Sequence, residues 1–458
     1  MHATRKLAAF LKPYWLWALL APLLMALEVA MDLIQPRLVE RIIDQGVARG
    51  DMGVVLNTGM WMIGIALIGI VGGVGCGVFA VLAGQHFGAD LRAALFRRVQ
   101  ALSFGNLDKL ETGGLITRLT NDVTQLQEVV MMLLRIMVRV PLLLVGSLIM
   151  AVLTSPQLGL IFVVVIPFVL VALVWVINKT YPLFGEVQQR LDALNSVLQE
   201  NLAGVRVVKA FARARHEVGR FGGANDALMD KNIAAVRASA ITMPLMMLTL
   251  NGGVVAALWF GGLQVNAGGL QVGQLIAFIN YLSQTLMSLM MISMLVVRFA
   301  RAEASAQRVQ EVLDNAPLIQ PRPDAQTTAA LRGRVAFEGV SFSYNTEAQS
   351  AERRAQSAGS DARQTTNGRV LGDAVLKDIS FVAEPGQTVA LLGATGAGKS
   401  SLVNLVPRFY DTTAGRVTID GVDVRDFAEP ALRQTVGVAL QETVLFSGTI
   451  RDNIRYGR

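Results

Sequence analysis

The sequence predicts a multi-domain chain, a six-helix all-α transmembrane domain with long cytoplasmic helical extensions followed by a smaller α/β domain. Three observations predict it. Apolar residues make up 53% of the 458 positions and charged residues only 16%, whereas soluble domains hold about 45–50% and about 25%. Six apolar stretches approach the roughly 20 residues that cross a bilayer. Beyond the last of them, short alternating runs broken by glycines replace the long apolar ones, which is the pattern of strands and turns.

The six stretches are 14–34, 54–83, 129–153, 158–177, 241–263 and 272–297. The first follows Arg5, Lys6 and Lys12, is too long for a signal-peptide core and lacks a small-residue cleavage site, so it reads as a retained span. Links one, three and five are short, while the second and fourth run for tens of residues. The long links carry Arg92, Arg97, Arg98, Lys109 and Arg118 in one case and Lys179, Arg190, Arg206, Lys209, Arg213, Arg215 and Arg220 in the other. The positive-inside rule places both in the cytoplasm with the N-terminus. The same placement accounts for the formal charge of +7 as membrane-flanking charge and assigns no nucleic-acid partner. The single cysteine, Cys76, allows no internal disulfide and sits in a Gly-rich apolar run as a packing residue.

The long links are not disordered in pattern. Leu191, Leu194, Val197, Leu198, Leu202 and Val205 recur at helical spacing, so the spans are expected to continue as helices beyond the bilayer. Gly113, Gly114 and Gly204 mark breaks where short connecting helices fit. In the second span Gly64, Gly69, Gly72, Gly73, Gly75 and Gly77 are read as helix-packing positions. Glu28 and Asp32 lie one turn apart in the first span. They either face a cavity, where they would favour cationic amphiphiles, or sit near the outer end, solvated or paired with Arg37 or Arg41.

After residue 297 an amphipathic helix over 298–313 leads to a linker with Pro317, Pro321 and Pro323. The expected boundaries are a transmembrane domain over 1–315, a linker over 316–332 and a soluble domain over 333–458. In the last, 334–344 alternates as a strand, 345–368 is a polar insert read as a mobile loop, and strands follow at 374–382 and 388–392. The second of these runs into Gly393-Ala394-Thr395-Gly396-Ala397-Gly398-Lys399-Ser400. This fits the phosphate-loop pattern G-x-x-x-x-G-K-[ST] at every fixed position, with a strand before it and a helix over 400–406 after it. Glycines let backbone N–H groups converge on phosphate oxygens, Lys399 brings a full charge to the β- and γ-phosphates, and Ser400 is a ligand type for Mg²⁺.

Three further features decide which phosphate-loop family the chain resembles. Tyr344 ends a strand about fifty residues before Lys399, Gln441 ends the apolar run 436–440 about forty residues after it, and Gly415-Arg416-Val417-Thr418-Ile419-Asp420-Gly421 lies between. Together they resemble the nucleotide-binding domain of ABC transporters. Leu445-Phe446-Ser447-Gly448-Thr449-Ile450-Arg451-Asp452-Asn453-Ile454 is similar to the exporter version of the segment after the glutamine. Two motifs in the membrane half resemble the cytoplasmic loops of type IV exporters. They are Thr112-Gly113-Gly114-Leu115-Ile116-Thr117-Arg118-Leu119-Thr120-Asn121-Asp122-Val123 and Glu200-Asn201-Leu202-Ala203-Gly204-Val205-Arg206-Val207-Val208-Lys209-Ala210-Phe211.

The resemblance implies that Tyr344 stacks on adenine and that residues 393–401, through Ser401, hold the ATP phosphates. It makes Gln441 the glutamine near Mg²⁺ and the attacking water, and the two loop motifs coupling helices. It also implies a homodimer, or a heterodimer with a related half-transporter, in contact with membrane lipid and exporting a hydrophobic small molecule, lipid or peptide. The signature motif, the catalytic glutamate and the switch histidine of that family do not follow Gln441. The soluble part is therefore expected to be an incomplete α/β nucleotide-binding domain with an unpaired parallel-sheet edge, which binds ATP without hydrolysing it. A non-transporting ATP-binding regulator or channel, and a non-functional fragment, are the alternatives. The expected location is a bacterial plasma membrane.

Overall fold

The computed structural model describes residues 6–320, 322–327, 331–344, 374–441 and 444–457. The side chains of 292–297 and 300 lie outside that description, as does the insert expected at 345–368. The chain divides into two compact units, one of residues 1–90 and 124–306 and the other of 91–123 and 307–458.

The first unit is helical throughout. α1 (Trp15–Arg41) follows a 3₁₀ segment and ends in a π-helical turn, Ile42–Val47. α2 (Met52–Ala101) starts here and continues into the second unit. Most of α5 (Val123–Thr154) belongs here too, with α6 (Pro156–Ala203), α7 (Val205–Ala210), α8 (Ala214–Ala240), α9 (Thr242–Asn266) and the first part of α10 (Val272–Asp314). The expected extensions are present, since α2, α6 and α10 run 50, 48 and 43 residues, about 65–75 Å at 1.5 Å per residue and twice a bilayer core. Gly204 separates α6 from α7 as expected.

Among the described residues five helical segments, rather than six, are long and apolar enough to cross a membrane: Ala8–Val47, Met52–Ala101, Thr112–Thr154, Pro156–Ala203 and Ala214–Asn266. The sixth expected span lies on α10, which carries Gln274, Asn280, Gln284, Thr285 and Ser288 and whose side chains at 292–297 lie outside the described residues. Part of that polarity is turned inward, because Thr285 Oγ1 pairs with Ser147 Oγ of α5 at 2.7 Å in a buried contact. Tyr281, fully buried, donates its hydroxyl to the Leu33 carbonyl at 2.7 Å. α6, α9 and α10 share a core of Phe162, Val165, Val169, Phe278, Tyr281 and Leu282.

α1 and α2 pack through small residues, with Ala21, Cys76, Ala80 and Ala83 fully buried. Three of the expected packing glycines make this approach possible. A Cβ at Gly72 would sit 2.9 Å from the Leu24 carbonyl oxygen, one at Gly73 2.8 Å from Glu28 Oε2, and one at Gly75 2.8 Å from Leu24 Cδ1. Gly64 and Gly77 meet nothing within 4 Å. Glu28 and Asp32 pair with neither Arg37 nor Arg41. Arg139 of α5 donates to both, reaching Asp32 Oδ2 at 3.0 Å and Glu28 Oε1 through its other nitrogen, while Arg37 pairs with Glu40 at 3.3 Å. An ion pair between helices satisfies charges that would be costly beside lipid, and the α5 arginine lies too far along the chain for local spacing to reveal.

The second unit joins the first long link to the soluble domain. After α2 come α3 (Phe104–Leu107) and α4 (Thr112–Thr117); Gly113 and Gly114 lie inside α4 rather than breaking it. The sheet is four-stranded and antiparallel in the order β2-β1-β3-β4, from β1 (Val335–Phe342), β2 (Leu376–Ala383), β3 (Ala414–Ile419) and β4 (Val422–Asp423). α11 (Lys399–Leu405), α12 (Glu429–Thr435) and α13 (Ile450–Ile454) complete it. Its core is Phe337, Val340, Phe342, Leu402, Leu405 and Val417 with neighbours.

The strands expected at 388–392 and 436–440 do not form, nor does the parallel sheet they were to build. Both segments are extended without ladder partners among the described residues. They line one side of an open apolar groove of about 280 Å³ through Val389, Leu391, Val436 and Val438, facing Phe337 and Phe381. A strand exists only where a neighbour supplies hydrogen bonds about 4.8 Å away, so an apolar run by itself does not make one.

Candidate functional site

The phosphate-loop motif forms a turn that only its glycines permit. Gly396 and Gly398 have φ of +86° and +83°, a region that costs a side chain roughly 1–2 kcal/mol. A Cβ at Gly398 would also come within 2.8 Å of Leu376 Cδ2 and 3.2 Å of the Val375 carbonyl. Residues 393–397 and Ser400 are exposed. Lys399 curls back over the loop, donating to the carbonyls of Gly393 at 2.9 Å and Ala394 at 2.8 Å. Among the described residues these neutral oxygens are its hydrogen-bond partners, so the ammonium keeps its charge for an anion above the loop.

Two adjacent hydroxyls of α11 point to different surroundings. Ser400 is exposed, whereas Ser401 is buried and shares a 2.9 Å hydrogen bond with the Tyr344 hydroxyl. That bond brings Tyr344 to the loop from the end of β1. Its ring stands edge-on to Phe342 (4.8 Å between centroids, 77°) and to Tyr410 (5.2 Å, 88°), yet remains 48% exposed. A ring fixed on its edges with open surface is suited to stacking. Gln441 is exposed at the end of 436–440, and no described hydrogen bond or ring contact joins it to the loop. The donors fit a magnesium nucleotide, with backbone N–H groups and an ammonium for phosphate oxygens and the hydroxyl and amide oxygens of Ser400 and Gln441 as hard ligands.

The segment after Gln441 is a self-contained knot. Thr449 and Asp452 form a reciprocal capping box at the start of α13. Asn453 closes the turn, accepting from Phe446 N–H at 2.8 Å and donating to Phe446 O at 2.9 Å. Hydrogen bonds from Thr449 hold the Asp452 carboxyl below the usual carboxylate range.

The first cytoplasmic loop is held by α10, the linker and the sheet-bearing domain through partners that sequence reasoning did not single out. Asp122, buried, takes a two-pronged bond from Arg308, with Nε at 2.8 Å, and Arg118 pairs with Glu311 at 2.7 Å. Buried Asn106 donates to Asn315 Oδ1 at 3.0 Å and Ala316 O at 2.9 Å, and accepts from Leu318 N–H at 2.9 Å. Phe104 stacks on Phe409 at 4.4 Å, and Tyr410 donates its hydroxyl to Asp108 Oδ2 at 2.6 Å. Burial, then the Asp108 carboxylate, push the Tyr410 phenol well above its ordinary range. No local signal marks these pairs, which lie about 200 to 300 positions apart.

Comparison with known proteins agrees with this architecture. The family model for the ABC transporter transmembrane region matches residues 18–289, and that for the ABC transporter domain matches 376–457. The chain is 38% identical over 454 residues to the uncharacterized ABC transporter ATP-binding protein YfiB of Bacillus subtilis, covering 99% of this chain and 75% of that protein. An uncharacterized ABC transporter ATP-binding protein of Mycobacterium tuberculosis is 36% identical over 448 residues, 98% of this chain and 73% of its own. A fatty acid ABC transporter ATP-binding/permease protein of Mycobacterium bovis is 35% identical over 368 residues, 80% of this chain and 54% of its own. A membrane region fused ahead of an ATP-binding domain fits an exporter half-transporter, and the chain belongs to the ABC transporter family.

Proposed function

We propose that the chain is one subunit of an ATP-driven exporter that moves a hydrophobic or amphipathic substrate, a drug, lipid or peptide, across a bacterial plasma membrane by alternating access. The observation that carries this reading is the clasp between the first loop and the nucleotide-binding domain made by Phe104–Phe409, while Asp122–Arg308 and Asn106 tie the same loop to the end of α10 and to the linker. A domain that closes on ATP moves whatever is clasped to it. The relative named for fatty acids favours a lipid-like substrate.

In this reading residues 1–315 form the membrane domain, 316–332 the linker, and 333–458 belong to the ATP-binding domain. Tyr344 stacks on adenine, residues 393–401 wrap the phosphates, and Ser400 and Gln441 hold Mg²⁺. The subunit works as a homodimer or with a related half-transporter. The second loop supports that assembly, because Leu198, Leu202, Val205, Val218 and Phe221 line an apolar hollow of about 450 Å³ suited to docking.

The test is ATP binding by the purified chain in lipid nanodiscs. Lys399→Ala is expected to weaken it roughly 10- to 100-fold, the loss of a charge-assisted hydrogen bond to phosphate; unchanged binding rejects the phosphate cradle. Net accumulation of a lipophilic dye against its gradient, in inside-out vesicles of cells making the protein, separates an exporter from a channel or regulator.

A further inference from the structure

The phosphate loop and the first membrane loop are joined by a chain of rings and hydroxyls whose far end, Tyr410 and Asp108, has no role above. It begins at Ser401, whose hydroxyl meets the Tyr344 hydroxyl at 2.9 Å. Tyr344 stands perpendicular to Tyr410, with centroids 5.2 Å apart. Tyr410 donates to Asp108 Oδ2 at 2.6 Å. Asp108 follows directly after α3, whose Phe104 packs on Phe409 and at whose Gly105 a Cβ would lie 3.2 Å from Leu318 Cδ1 and 3.8 Å from Tyr410 Cδ1. Beside the chain lies a partly enclosed cavity of about 160 Å³ bounded by Ser103, Gly105, Leu318, Tyr344, Tyr410 and Thr412. The cavity gives the two tyrosine rings room to change their tilt, which close packing would deny.

We propose that Tyr410 is a positioning residue for Tyr344, and that the Tyr344–Tyr410–Asp108 chain reports adenine occupancy to the first cytoplasmic loop within one subunit. A base stacked on the open surface of Tyr344 restricts that ring. The perpendicular Tyr410 follows, and its short bond to Asp108 fixes the loop at residues 103–110. Phosphate alone, held by residues 393–401, meets no ring, because the Ser401 hydroxyl is buried and turned to Tyr344 rather than to the open loop, and it does not send the signal. The coupling is reciprocal: the factor by which adenine tightens the Tyr410–Asp108 contact is the factor by which losing that contact weakens ATP. The proposal rests on the reading of Tyr344 as the adenine-stacking residue.

The experiment compares ATP with inorganic tripolyphosphate on the full chain in nanodiscs, measuring affinity by calorimetry and amide hydrogen exchange over 103–111. In the unaltered protein ATP binds more tightly than tripolyphosphate and slows exchange over 103–111, whereas tripolyphosphate leaves it unchanged. Tyr410→Phe keeps the ring and removes only the hydroxyl. It is expected to abolish the ATP-dependent change and to lower ATP affinity roughly three- to tenfold, part of the value of a hydrogen bond to a charged group, while tripolyphosphate affinity stays within about twofold. Asp108→Ala, which leaves the Tyr344 and Tyr410 rings intact, is expected to do the same from the other end. Persistence of the ATP-dependent exchange change in both variants overturns the proposal, as does an equal loss of ATP and tripolyphosphate affinity. Failure of the parent reading is distinguishable, and takes the proposal with it: ATP then binds no more tightly than tripolyphosphate in the unaltered protein.

Discussion

The two units of the chain obey one rule in two solvents. In the membrane unit large side chains such as Leu160, Val163 and Val164 lie open, at 67–71% exposure, while Ser147, Thr285 and Tyr281 are buried. In the second unit Val340 and Leu405 are fully buried, and ion pairs such as Arg416–Glu338 lie exposed on its surface. Burial stabilises by removing apolar surface from water, and a lipid-facing leucine is never in water. Packing of small residues and internal pairing of polar groups carry the membrane unit, whereas a conventional core carries the other. The same leucine is thus expected to matter in one unit and hardly at all in the other.

The sharpest way to break that comparison is a matched pair of truncations. Leu405→Ala should destabilise the second unit by about 3–4 kcal/mol through lost burial and a cavity, whereas Leu160→Ala should change the membrane unit by less than about 0.5 kcal/mol. Differential scanning fluorimetry in nanodiscs would read both, and comparable losses would show that the open apolar faces are not lipid-facing. Next in size is the interhelical ion pair. Arg139→Met, which strands Glu28 and Asp32, should cost about 2–3 kcal/mol. Combining it with Glu28→Gln and Asp32→Asn should restore most of the lost stability, since nothing charged is then left unpaired.

In the second unit Asn106→Ala should cost about 1–2 kcal/mol by leaving Asn315 Oδ1 and the Ala316 carbonyl without their buried donor, and proteolysis between residues 103 and 112 should quicken. The smallest stability change is expected at the surface, where Arg416→Ala, removing an exposed pair, should stay within about 0.5 kcal/mol. Asp420 gives the acid side of the comparison. Its carboxylate accepts N–H bonds from Arg334 at 2.9 Å, Arg332 at 2.6 Å and Gly333 at 3.3 Å, which hold its pKa below the usual carboxylate value. A depressed folded pKa contributes stability above the unfolded value, and that contribution is lost as pH falls through the folded one. Asp420→Asn should therefore weaken the second unit at neutral pH and flatten its acid-side loss, as a fluorescence-monitored pH titration would show.

Much of the site was legible before any coordinates. Apolar length located the long helices, helical spacing their extension through 191–205, and alternation β1, because burial on one face imposes a repeat that residues nearby in sequence must share. The phosphate loop was legible for a stricter reason: Gly398 is required both by its φ of +83° and by Leu376 and Val375 crowding its missing side chain. Segments 388–392 and 436–440 misled, since apolarity is local but a ladder partner is not. The first helix misled in the same way, its carboxylates choosing Arg139 of α5 over the nearer Arg37 and Arg41.

What the sequence determined by itself is whatever a residue and its close neighbours enforce: which runs suit a bilayer, and where only glycine allows the backbone its turn at 396 and 398. Tertiary structure alone decided which polar groups meet. Ser401 with Tyr344, Tyr410 with Asp108, Asn106 with the linker and Arg139 with two carboxylates are separated by 57 to 302 positions. A hydrogen bond acts over about 3 Å, so its partner is set by where the fold brings the chain back, which no local pattern records.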